Sequence, residues 1–155
     1  MVQSTSKTNQ HLQKVADELQ HFLADTYILY LKTQNFHWNV KGSNFYSYHK
    51  MFEGQYTELA ESIDEIAERV RAIGCYVPGS FAQFSQLASL KEERTQLSAK
   101  DMLKSLAEDH EVMADHAMQV MAKAQKAKDE ATADLMIQRI QVHEKTAWML
   151  RSSLG

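Results

Sequence analysis

The side chains in this chain best suited to bind a cation are histidines and carboxylates at helical spacing. His49 and Glu53 stand four residues apart, as do Asp64 and Glu68. On a helix that spacing puts both members of a pair on one face, about 6 Å apart at the surface. Hard oxygen donors mixed with imidazole suit iron, manganese or zinc better than copper(I). The plainer account of the same residues is solvated helix charge. Against it stands the crowding of Glu61, Asp64, Glu65 and Glu68, with Arg69 and Arg71 to neutralise only part of it. Like charges at i, i+4 are mildly destabilising.

Position along the axis decides what the two pairs can do together. Glu53 and Asp64 are eleven residues apart, so a straight helix separates them by roughly 16 Å on nearly the same face. Ligand bonds near ~2 Å cannot close that gap on one ion. A second copy of the helix, antiparallel about a two-fold axis near Glu58 and Leu59, would bring His49 and Glu53 of one chain beside Asp64 and Glu68 of the other. Isologous dimers are the commonest oligomers. Any shared metal site is then intersubunit and occurs twice per dimer.

The remaining histidines carry less. An intrachain di-iron bundle uses two Glu-x-x-His motifs on different helices, and the one such motif here is Glu18 to His21. His37, beside Trp38, falls where a short loop could bring it near His49; a packing or capping role accounts for it as well. His110, His116 and His143 read as solvated groups or interhelical contacts, and the eight methionines as core filler.

These residues need long rods to position them, and the breakers allow four. Gly42 lies in Lys41-Gly42-Ser43-Asn44, while Gly74, Pro78 and Gly79 cluster; only Gly54 interrupts a periodic segment. Leu12, Val15, Leu19, Leu23, Tyr27 and Leu31 mark a first helix over roughly 9–40. Phe52, Tyr56, Leu59, Ile63, Ile66 and Val70 mark a second over 44–73, stopped at Gly74. Residues 75–98 hold a short helix inside a long connection. Ser98, three before Asp101, opens the third long helix, and the fourth runs over 130–152. The expected fold is an all-α, ferritin-like four-helix bundle, with a short extra helix in the crossover between helices two and three. One domain over 9–155 follows a flexible tail over 1–8.

Composition excludes several classes. At 155 residues, 44% hydrophobic and 24% charged, the chain has the make-up of one globular domain rather than a disordered segment. No apolar run approaches the ~18 residues of a membrane span. The polar N-terminal stretch and the single Cys75 point to the cytoplasm. A net charge of −3 argues against binding nucleic acid by overall charge.

Together these residues resemble the Dps family of ferritin-like mini-ferritins. The resemblance is carried by Asn35-Phe36-His37-Trp38-Asn39-Val40-Lys41-Gly42-Ser43-Asn44-Phe45, then His49, then Ile63-Asp64-Glu65-Ile66-Ala67-Glu68-Arg69. It implies a hollow homododecamer built from two-fold dimers. It implies ferroxidase sites at the dimer interface, with His37 and His49 from one subunit, Asp64 and Glu68 from its partner, and at most two irons in each. Fe(II) is oxidised there, preferably by hydrogen peroxide rather than oxygen, and Fe(III) is stored as mineral. Glu53 stands where many members have Asp and keeps the donor type. Trp38, or nearby Tyr46 or Tyr48, is an expected sink for stray oxidising equivalents. Asp129, Glu130 and Asp134 resemble the family's acidic iron-entry pore; as acids at a helix start they would also serve the helix dipole.

The competing expectation is a nucleoid-associated, DNA-binding structural protein in which iron is secondary. It would give a gel shift that weakens steeply with salt. Two lysines, Lys7 and Lys14, in the first sixteen residues are a thin basis for it.

Overall fold

The computed structural model describes residues 2–155, with side chains from residue 10 onward. The expected tail over 1–8, with Lys7, lies outside the described side chains. Five helices follow in order: α1 Val2–Asn39, α2 Phe45–Ile73, α3 Phe81–Leu87, α4 Ala99–Lys126 and α5 Glu130–Ser152. The four long ones form the bundle and α3 is the short helix of the crossover. Among the described residues no helix is long and apolar enough to cross a membrane.

Local signals set the helix ends. The Ser98 hydroxyl accepts from Asp101 N at 3.1 Å and starts α4. Gly74 ends α2 at φ +102°, with Cys75 N bonding back to Val70 O; a side chain would strain that left-handed turn. Asp129 caps α5 by accepting from Thr132 N at 3.1 Å.

α1 pairs with α2 and α4 with α5, and α1 joins the two halves through its contacts with α4. Cys75, just past α2, reaches Gln13 near the start of α1, while Gln96, just before α4, reaches Asn39 O at the other end. Residues 74–98 therefore run the length of the bundle, and α2 and α4 point the same way. Asp25, fully buried in α1, fastens this crossover. It accepts from Ser89 N (2.6 Å), Ser89 Oγ (2.8 Å) and Leu90 N (2.9 Å), with His116 Nδ1 at 3.3 Å. Burial pushes the Asp25 carboxyl up, but these donors outweigh it and hold the group below the usual carboxylate range. A second buried pair, Lys32–Asp109 at 2.8 Å, ties α1 to α4.

The core is apolar and drawn from all four rods: Leu19, Phe22 and Phe36; Phe52, Leu59 and Ile66; Leu106 and Met113; Met136 and Leu150. The expected stripe on α1 fails at its end, where Leu31 is 40% exposed. Steps of four advance 400° around the axis, so each adds about 40° of drift. By Leu31 the stripe from Val15 has turned away, and Leu29, Thr33 and Phe36 are buried instead.

Candidate metal centre

The turn between α1 and α2 builds the first half of the candidate centre. Gly42, at φ +121°, reverses the chain, and Phe45 N donates to Gly42 O at 3.1 Å. The reversal stacks the His37 and His49 rings, with centroids 3.8 Å apart and planes at 13°. Each ring is tied to the other's backbone: His37 Nδ1 lies 2.7 Å from His49 O, and His49 Nδ1 lies 2.8 Å from His37 O. A carbonyl oxygen can only accept, so both Nδ1 atoms carry the proton. In the neutral ring the lone pair is then on Nε2, the tautomer a metal ligand at that nitrogen needs. Phe45 stacks on the outer side of His49 at 5.0 Å, and Tyr56 stands edge-on to His37 at 5.1 Å.

Glu53 lies one turn beyond His49. Lys50 Nζ donates to it at 3.0 Å and, with smaller help from His37 and His49, holds its carboxyl below the usual range. Its charge is available to this half-centre, shared with Lys50.

The second half lies about three to four turns further along α2. Asp64 and Glu68 are exposed and close enough to share a proton; the hydrogen bond to Asp64 and its charge raise the Glu68 carboxyl. Two carboxylates that resist joint ionisation gain from a cation placed between them. Among the described residues no three His, Cys, Asp or Glu come together in a metal-binding group. One chain thus carries a histidine half-centre and a carboxylate half-centre that it does not join, in keeping with the axial separation of the two pairs.

The other expected residues fall as follows. Trp38 is 61% exposed, and Tyr46 is exposed beside it. Tyr48 stacks on Phe52, with its hydroxyl 3.4 Å from Ser153 O. Asp129 is buried, paired with Arg69 Nη2 at 2.8 Å and committed to the α5 cap. Glu130 and Asp134 are exposed one turn apart. Arg69, read as a partial neutraliser of the acids on α2, instead bridges α2 to Asp129 and Thr132 at the start of α5.

His110 and His143 are not solvated, as one of their two expected readings had it; they are interhelical contacts. Their Nδ1 atoms are 2.9 Å apart in the core between α4 and α5. Arg139 Nη2 sits 3.4 Å from His143 Nε2 and also binds Glu58 of α2. Arginine only donates, so His143 Nε2 accepts and His143 Nδ1 donates to His110 Nδ1. Tyr56 is the residue near the histidine half-centre that sequence reasoning did not single out for chemistry. Its signal was the seven-residue step from His49, which returns to the same face after two turns.

A family model for the ferritin-like domain matches residues 16–155. The fold is thus that of a ferritin-like helical bundle. A low temperature-induced protein of Nostoc sp. is 42% identical over 94% of this chain and 82% of its own length. DNA protection during starvation protein 2 of Bacillus anthracis is 38% identical over 92% of this chain and 98% of its own. A crystal structure of a Dps protein from Bacillus brevis superposes with a TM-score of 0.92 at 38% identity, covering 94% of this chain and 98% of that one. The chain belongs to the Dps family of ferritin-like proteins.

Proposed function

We propose that this protein is a ferroxidase and iron-storing mini-ferritin whose oxidation centre is completed across a two-fold dimer axis. The observation that carries this reading is the reciprocal lock of His37 and His49. It commits the Nδ1 of each ring to a carbonyl, so each neutral imidazole keeps its Nε2 lone pair for a metal. Asp64 and Glu68 of a second copy supply the missing oxygen donors, with Glu53 as a further one. Fe(II) is the substrate. The carboxylates favour electron loss because negative oxygen donors stabilise Fe(III) over Fe(II). The imidazoles must be neutral to bind, so iron uptake falls at acid pH.

With hydrogen peroxide the stoichiometry closes on two irons per centre. Each of two Fe(II) gives up one electron, two protons are taken from solution, and the peroxide O–O bond breaks to leave two waters and two Fe(III). Ferric product then collects as mineral inside a cytoplasmic cage of twelve subunits. Two separate exposed apolar faces support a closed assembly. Trp38 and Phe45 lie at the α1–α2 turn, and Trp148 and Met149 on α5 with Val112 on α4. One such face makes a dimer; a second makes a larger assembly. Glu130 and Asp134 are the acids left to line an entry route once Asp129 is committed to its cap.

The test is oxidation of Fe(II) by peroxide, followed as a soluble ferric core that co-elutes with protein. Replacing Asp64 and Glu68 by Ala should slow oxidation by more than roughly 100-fold, beyond what loss of a supporting group costs, with assembly by light scattering unchanged. Wild-type kinetics in that variant would refute the ligand assignment.

A further inference from the structure

A continuous line of aromatic contacts leaves the histidine half-centre and crosses the molecule. Tyr56 meets His37 edge-on at 5.1 Å. Tyr30 of α1 meets Tyr56 at 6.0 Å and an interplanar angle of 87°. Tyr27, one turn earlier on α1, meets Tyr30 at 5.7 Å. Tyr27 then stacks on Phe84 of α3 at 4.9 Å and touches Phe81 at 6.2 Å. All three phenols are half-buried. Trp38, next to His37 in sequence, has a mostly exposed indole and makes no ring–ring contact among the described residues. Contact, not sequence adjacency, determines which ring exchanges an electron with the centre fastest.

We infer that Tyr56, Tyr30 and Tyr27 form an electron relay that supplies the second electron to peroxide when a centre holds a single Fe(II). The inference rests on the ferroxidase reading above. Peroxide needs two electrons to reach water, and one Fe(II) provides one. Without another donor the O–O bond breaks to hydroxide and a hydroxyl radical. With the relay, Fe(II) loses one electron and Tyr56 loses one electron and its phenolic proton. That proton and one from solution convert peroxide to two waters, leaving Fe(III) and a neutral tyrosyl radical. Atoms and charge balance with peroxide as the only oxidant.

The hole then moves between chemically equivalent phenols, from Tyr56 to Tyr30 to Tyr27; at each step the receiving phenol gives up an electron and its proton, and the phenolate left behind takes up a proton to become neutral tyrosine again. Gln34 Nε2 lies 3.5 Å from the Tyr30 hydroxyl and donates to its oxygen. Phenylalanine is far harder to oxidise than tyrosine, so the hole stops at Tyr27, where Phe84 and Phe81 cover it. Phe81 is 74% exposed and forms the outer layer. The α3 helix thus covers the Tyr27 ring and ends the line of oxidisable rings on that side.

The experiment mixes assembled, iron-free protein with one Fe(II) per centre, then with peroxide, and reads freeze-quenched electron paramagnetic resonance and a hydroxyl-radical spin trap. Wild type should give a tyrosyl signal, narrowed by ring-deuterated tyrosine, with little trapped hydroxyl radical. Tyr56→Phe should lose the signal and release hydroxyl radical to the trap. Tyr30→Phe should keep a signal confined to Tyr56 and shorten its lifetime. An undiminished signal in Tyr56→Phe, or an indole signal abolished by Trp38→Phe, overturns the relay. A parallel wild-type sample with two Fe(II) per centre separates the premises. Iron oxidised there with no radical in the one-iron sample overturns the relay alone, whereas no iron oxidation overturns the ferroxidase reading beneath it.

Discussion

Two histidine pairs in this molecule show what separates an imidazole that holds structure from one that can hold metal. His110 and His143 face each other inside the bundle, nitrogen to nitrogen, with Arg139 on the far side of His143. Three of their four ring nitrogens are engaged or enclosed by protein, and the fourth, His110 Nε2, is buried without a partner. His37 and His49 are joined instead through backbone carbonyls. That arrangement uses one nitrogen per ring and commits the other to no protein partner among the described residues. The nearby charges differ too. A cation at His143 would meet the Arg139 guanidinium, whereas a cation at His37 and His49 meets Glu53. Pairing alone therefore does not identify a metal site; what matters is which nitrogen the protein has already used.

The sharpest way to break this contrast is to truncate each pair. His37→Ala with His49→Ala should lower Fe(II) oxidation by roughly 100-fold while the urea midpoint moves little. His143→Ala should do the reverse. It leaves a cavity and takes the only partner among the described residues from the buried His110 Nδ1, costing about 2–4 kcal/mol of stability, with oxidation per assembled centre unchanged. Equal effects of the two changes on oxidation would remove the distinction.

Asp25→Ala probes the frame that holds both pairs. It strips partners from Ser89 N, Ser89 Oγ, Leu90 N and His116 together. A loss of about 3 kcal/mol in urea unfolding is expected, with proteolysis beginning in residues 74–98.

Acid provides a smaller effect. Burial, aided by Arg139, holds His110 at about 3 against an ordinary value of 6.5. Burial and the charges of His110 and Arg139 likewise hold His143 well below the usual imidazole range. The unfolded chain therefore binds protons that the native core refuses. The stability His110 contributes is complete above about pH 6.5 and is lost as pH falls from there toward about 3, and His143 acts in the same direction. The slope is of order 1 kcal/mol per pH unit for each ring. Urea midpoints of metal-free protein at pH 7, 6 and 5 should show it, and His110→Gln with His143→Gln should flatten it. Parallel slopes would mean that these rings are not the groups resisting protonation.

Much of this was legible in the sequence, and the failures share a cause. The four rods, the crossover helix and the caps at Ser98 and Gly74 follow from local period and local chemistry. The i, i+4 pairs on α2 were visible for the same reason, since neighbours on a helix face are fixed by spacing. What depended on another helix was not visible. Arg69 reads as a partial neutraliser of its own helix until α5 brings Asp129 to it, and no local signal shows that this contact buries Asp129. His110 and His143 lie 33 residues apart, and nothing local announces their contact. Leu31 failed because a run of four-residue steps was extended past the point where 3.6 residues per turn rotates it off the core.

The central claim is that each oxidation centre draws its histidines from one chain and its carboxylates from another. Co-expressing a His37→Ala, His49→Ala chain with an Asp64→Ala, Glu68→Ala chain tests it directly. Neither chain alone should oxidise Fe(II) at the wild-type rate. In random mixtures half the dimers are mixed, and each mixed dimer regains one of its two centres, so about a quarter of the wild-type burst should return. If the mixed assembly is no more active than either parent, the centre is not shared between chains.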